Sequence, residues 1–117
     1  MGRIDRVNEF IKREISNIIL IELQDPRLKF VTVTEVDVSR DLRHARVSFS
    51  VLGDEVKIQE AAEGLNRARG LIRKMVGQRI STRYTPEIVF VQDRSREYGV
   101  KIEETLEEIR HESKKNP

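Results

Sequence analysis

FVTVTEVDVSRDLRHARVSFSV, residues 30–51, is the stretch on which the fold turns. Its second half alternates cleanly: Ala45, Val47, Phe49 and Val51 fall on one side, and His44, Arg46, Ser48 and Ser50 on the other. That is the pattern of an antiparallel strand with one face buried and one wet. The first half, Phe30 to Ser39, changes phase between Val31/Val33 and Val36/Val38. A one-residue slip would turn every later side chain to the wrong face, so the spacing predicts a β-bulge near Thr34–Glu35. Ser39 to Arg43 is the connecting turn, and the segment reads as a hairpin.

Upstream, Ile4, Val7, Ile11, Ile15 and Ile18 recur at three- and four-residue steps. They form the apolar stripe of a first helix running to about Leu23 and stopped by Pro26. Downstream, Gly53 closes the hairpin and Asp54 is placed to cap a second helix, with Ile58, Ala61, Ala62, Leu65 and Ala68 on its apolar side. Leu71, Ile72, Met75 and Val76 keep a buried face beyond that. Glycine costs about 1 kcal/mol relative to alanine inside a helix, so Gly70 is expected to kink or break the helix there. Pro86 introduces a third strand, Glu87 to Gln92. Ile102, Leu106 and Ile109 mark a last, acidic helix, and residues 111–117 form a short flexible tail. The order is α-β-β-α-α-β plus a C-terminal helix: an α+β chain with one domain over residues 1–110.

Composition removes whole classes of function. With no cysteine, thiolate metal sites, disulfides and cysteine nucleophiles are excluded, and a cytoplasmic protein is expected. The longest apolar run, Ile18 to Ile21, is far short of a bilayer span, and Arg3, Asp5 and Arg6 do not make a signal pattern. Phosphate-cradling, nucleophile-elbow and zinc-protease motifs are missing. His44 is expected to be solvated on the polar face of its strand, and His111 falls in the tail. Glu103, Glu104, Glu107 and Glu108 read as a solvated helix face rather than as a cation site. Neither an enzyme nor a cofactor is expected.

The charge is informative in its placement. Gly64 to Arg83 carries Arg67, Arg69, Arg73, Lys74, Arg79 and Arg83 with no acid between them, although the whole chain is only +2. At about 100° per residue, Ala68, Leu71, Ile72, Met75 and Val76 share one side of the helix. Asn66, Arg67, Arg69, Gly70, Arg73, Lys74 and Gly77 share the other. Glycines at 70 and 77 leave backbone that a phosphodiester chain can approach, while the flanking cations neutralise phosphates and release counterions. Arg79 projects toward the apolar side, which ends the helix near Gly77. Phe30, Phe49 and Phe90 fall in strands and are expected in the core, leaving Tyr84 beside Arg83 as the stacking candidate. Recognition of folded RNA by phosphate and shape follows more naturally than base-by-base reading.

These residues resemble the bacterial ribosome-binding factor A family over roughly residues 4 to 109. Asp25-Pro26-Arg27, Val31-Thr32-Val33-Thr34-Glu35-Val36, Ser39-Arg40-Asp41-Leu42, Ala45-Arg46-Val47, Leu65-Asn66-Arg67-Ala68-Arg69-Gly70 and Arg83-Tyr84-Thr85-Pro86 carry the likeness. Arg40 stands where many members have proline. The resemblance implies a type II KH-like domain, with a three-stranded mixed sheet and helices on one face. In it the usual GxxG clamp is replaced by an Ala-x-Gly kink, here Ala68-Arg69-Gly70. It further implies a non-catalytic, monomeric assembly factor that binds the immature 30S small ribosomal subunit. Contact with 16S rRNA near its 5′ end and decoding region, and help with late maturation and rRNA processing, notably in the cold, belong to the same implication. Two other readings stay open: a generic KH-type single-strand binder, and a protein-docking adaptor built on the acidic helix.

Overall fold

The computed structural model describes residues 2–93. The expected C-terminal helix around Ile102, Leu106 and Ile109, its glutamates, His111 and the tail lie outside the described residues.

Helix α1 spans Arg3–Asn17, and its first turn is closed by Gly2 N donating to Asp5 Oδ2 at 3.1 Å. The apolar stripe continues into four consecutive aliphatic residues, and the chain widens to a π-helical turn, Ile18–Glu22, in which Leu23 N donates to Ile18 O. Ile18 and Ile19 are thereby both buried, whereas Leu20 and Ile21 face solvent. Gln24 takes a positive φ of 48° and ends the helical path. Asp25 then caps a short 3-10 turn, Pro26–Leu28, by accepting from Arg27 N. The expected run to Leu23 and stop at Pro26 is what the chain does.

Strands β1 (Val31–Val38) and β2 (His44–Val51) pair antiparallel, and the register slips between Val33 and Glu35. The bulge restores the inward phase, so Val31, Val33, Val36 and Val38 all reach the core. Asp54 N-caps helix α2, Glu55–Gly77, by accepting from Lys57 N at 2.9 Å. Strand β3 (Glu87–Gln92) returns parallel to β2, giving a mixed sheet of order β1-β2-β3. Both helices lie on one face: α1 packs chiefly on β1 and α2 chiefly on β3. Ile11, Ile15 and Ile18 meet Leu65, Ile72 and Val76 over Ala45, Val47, Phe49 and Ile88 in a single core.

Three expectations need correction. Of the expected kink or break at Gly70, the break does not occur: α2 is one helix from Glu55 to Gly77. Leu65 and Ile72 are fully buried on either side of the glycine, and their burial, about 1.5–3 kcal/mol each, outweighs the roughly 1 kcal/mol cost of one helical glycine. Leu71, expected on the buried side, is 50% exposed, because the sheet covers a narrower strip of α2 than the apolar pattern suggests. Phe30 precedes β1 and lies at the surface beneath Lys29 and Lys57, rather than in the core. Phe49 and Phe90 do pack together, edge to face at 6.3 Å.

Candidate nucleic-acid interface

The outward ridge of α2 changes sign along its length. Glu60 and Glu63 lie in its first half, close enough to Arg27 to raise that guanidinium's pKa together with the main contribution of Asp25. Beyond them come Arg67, Gly70 and Lys74, related by three-, four- and seven-residue steps and therefore stacked along one line of the helix. All three are exposed. A Cβ built on Gly70 would meet nothing within 4 Å, so the ridge carries a stretch of bare backbone between two cations. Arg69 is exposed as well and Ala68 half-buried beside it. Acids at the start of α2 and cations toward its end also suit the helix dipole, which supplies a structural reason for part of this placement.

The remaining expected contacts are engaged within the fold. Arg73 reaches the loop ahead of β3, where Nη2 donates to Thr85 O at 2.9 Å and Nε to Pro86 O at 3.2 Å, with Glu87 Oε1 3.3 Å from Nη1. Gly77 is not bare: a Cβ there would fall 2.6 Å from Thr85 Oγ1, so this glycine lets α2 press against the same loop. Arg79 turns back onto the first helical segment, donating from Nη1 to Glu22 Oε2 at 2.7 Å and to Glu14 Oε2 at 3.2 Å, and from Nη2 to Glu22 Oε1. These bonds hold the Glu22 carboxyl below its ordinary pKa and raise that of Arg79. Arg73, Gly77 and Arg79 thus position the ridge and the loop, and Arg67, Arg69, Gly70 and Lys74 remain presented to solvent.

Arg83 and Tyr84 sit on the anchored loop and are exposed, with the Arg83 guanidinium 5.4 Å from the Tyr84 ring centre. Arg43, from the hairpin turn, approaches the same ring at 5.9 Å. Sequence reasoning missed Arg43. Its signal was the cationic turn Arg40 to Arg43, which was read only as a connection.

No group of His, Cys, Asp or Glu among the described residues could hold a metal ion, and His44 is exposed on the open face of the sheet. No helix of the described residues is long and apolar enough to cross a membrane.

Comparison with known proteins fixes the family. The family model described as "Ribosome-binding factor A" matches residues 3–106. The chain belongs to the ribosome-binding factor A family. It is 51% identical over 110 residues to the ribosome-binding factor A of Halothermothrix orenii, an alignment covering 94% of this chain and 90% of that one. The crystal structure of ribosome-binding factor A from Thermus thermophilus superposes with a TM-score of 0.71 at 26% identity, covering 80% of this chain and all of the other. A homology model of the Thermus thermophilus factor, fitted into a cryo-electron-microscopy map of a 30S complex of that factor, gives a TM-score of 0.61 at 28% identity over 73% and 89% of the two chains. The mixed three-stranded sheet with its helices on one face is the KH-like fold of this family.

Proposed function

We propose that this chain is a non-catalytic assembly factor that docks on the immature 30S small ribosomal subunit and engages 16S rRNA through the outward ridge of α2. The observation that carries the reading is the ridge itself: Gly70, with no neighbouring atom within 4 Å of a would-be Cβ, between the exposed cations Arg67 and Lys74. A phosphodiester backbone can come within van der Waals range of the helix there and still be neutralised on both sides. Arg69 contacts an adjacent phosphate, and Ala68 keeps the flank low. The family membership and the 30S complex of the Thermus thermophilus relative support the choice of partner. Assistance with late maturation and rRNA processing, including growth in the cold, follows from that docking.

The test is sedimentation of the full chain with purified small subunits, large subunits and whole ribosomes. Co-sedimentation with small subunits, lost steeply as salt rises, is expected. Equal retention by both subunits would leave only nonspecific polyanion binding. Retention that hardly responds to salt would point instead to a protein-docking role, because phosphate neutralisation carries a log–log slope of about −0.7 to −0.9 per contact.

A further inference from the structure

Tyr84, the stacking candidate of the sequence, is held at the surface by a loop anchored at several points. Thr82 Oγ1 donates to Tyr84 O at 2.7 Å, Arg73 holds the carbonyls of Thr85 and Pro86, and Glu87 N donates to Arg43 O at 2.7 Å. Pro86 is fully buried, yet Tyr84 two residues earlier is 52% exposed. The backbone is therefore fixed while the ring stays in solvent, flanked by the guanidinium groups of Arg43 and Arg83. A surface tyrosine alone would mean little. Here two cations from separate segments converge on one ring, and neither forms an ion pair among the described residues.

The surroundings extend the positive field. A recess of about 490 Å³ beside the loop is lined by Arg3 and Arg6 of α1, by Ser81 and Thr82, and by three apolar side chains. An adjoining one brings Arg3 together with Arg40 of the hairpin turn. Arg3, Arg6, Arg40, Arg43 and Arg83 are all exposed and come from three separate stretches of sequence. Asp41, two residues before Arg43, is engaged in the turn, accepting from Ser39 Oγ and Arg43 N, bonds that lower its pKa with a smaller contribution from the Arg43 charge.

We propose that Tyr84, with Arg43 and Arg83, is a stacking platform for one unpaired nucleobase of the bound RNA, and that the surrounding arginines hold the phosphates on either side of it. Every base has a π-face, so such a platform selects unpaired from paired nucleotides rather than one base from another; guanidinium planes extend the stacking surface. The guanidinium groups of Arg43 and Arg83, which form no ion pair among the described residues, are free to meet phosphates. This inference rests on the RNA-binding function and places a second contact beside the α2 ridge.

The experiment uses the full chain and two RNA hairpins, identical except that one carries a single bulged nucleotide. The protein has no tryptophan, so Tyr84→Trp introduces a lone indole reporter. Saturable quenching of its fluorescence by the bulged hairpin, and weaker quenching by the fully paired one, is expected. In parallel, Tyr84→Leu should narrow the preference for the bulged hairpin about tenfold, the scale of one base–aromatic stack, and Tyr84→Phe should recover most of it. Binding of both hairpins without any difference in quenching, or a preference that survives Tyr84→Leu, overturns the platform and leaves the RNA-binding function standing. Failure of the wild-type chain to bind either hairpin or small subunits removes the underlying function itself.

Discussion

Replacing Gly70 by alanine separates what the helix wants from what its surface is for. The position lies inside α2, between the fully buried Leu65 and Ile72, and a Cβ there meets no atom within 4 Å. With no steric cost to subtract, the substitution gains the intrinsic difference between glycine and alanine in a helix interior, about 0.8–1.0 kcal/mol. For a chain of this size that corresponds to a rise of roughly 4 °C in Tm. The same methyl projects from the ridge between Arg67 and Lys74 and holds a phosphate backbone away, so affinity for small subunits falls by roughly tenfold, the loss of about one close contact. Thermal unfolding followed by circular dichroism and co-sedimentation with small subunits provide the two readouts. A variant that is destabilised would show that the backbone at Gly70 is not ordinary helix. One that is stabilised with undiminished affinity would show that nothing approaches the ridge.

Gly77→Ala should behave oppositely, since its Cβ collides with Thr85 Oγ1; a loss of about 1–2 kcal/mol in denaturant unfolding is expected, overpacking exceeding the small helical gain. Arg73→Met removes two guanidinium bonds to the carbonyls of Thr85 and Pro86. Hydrogen exchange should then quicken in residues 81–87 before it changes in the sheet. Asp54→Ala forfeits the N-cap bond to Lys57 N, at a cost of about 1 kcal/mol. Glu22 and Asp25 titrate below their ordinary values of 4.5 and 3.8, because Arg79 and Arg27 respectively donate to them. Their contribution is present above those ordinary values and is lost as pH falls through the lowered ones. Stability should therefore fall less steeply below about pH 4.5 in Arg79→Gln than in the wild type; identical acid slopes would count against the Arg79–Glu22 pairing.

What could be read from the sequence was what adjacent residues decide. The phase change between Val33 and Val36 gave away the bulge, because a buried face tolerates no slip in a period of two. Asp54 revealed the start of α2 because capping is local. The helix continues through Gly70 for the complementary reason: a local propensity cost of about 1 kcal/mol yields to the burial of Leu65 and Ile72, which only the assembled sheet supplies. The site divides the same way. Arg67, Arg69 and Lys74 were recognisable as cations on a helix face. Arg73 and Arg79 look identical to them in a charge count, yet their partners lie 12 to 65 residues away. Gly77 looks like Gly70 until Thr85 is in place. Arg3, Arg6, Arg40 and Arg43 were invisible as a group because it takes the hairpin turn, the start of α1 and the loop before β3 to bring them to one end of the molecule.

Charge reversal at the ridge alone, Arg67→Glu with Lys74→Glu, tests the binding face most directly, because neither side chain pairs with an acid among the described residues and both point to solvent. Binding to small subunits, measured across a salt series, should collapse at moderate salt, with a log–log slope shallower by roughly 1.4 to 1.8. The thermal midpoint should drop by only a few degrees, the effect of reversing charges that suit the helix dipole. A folded variant that keeps the wild-type affinity and slope would place the RNA elsewhere on the molecule.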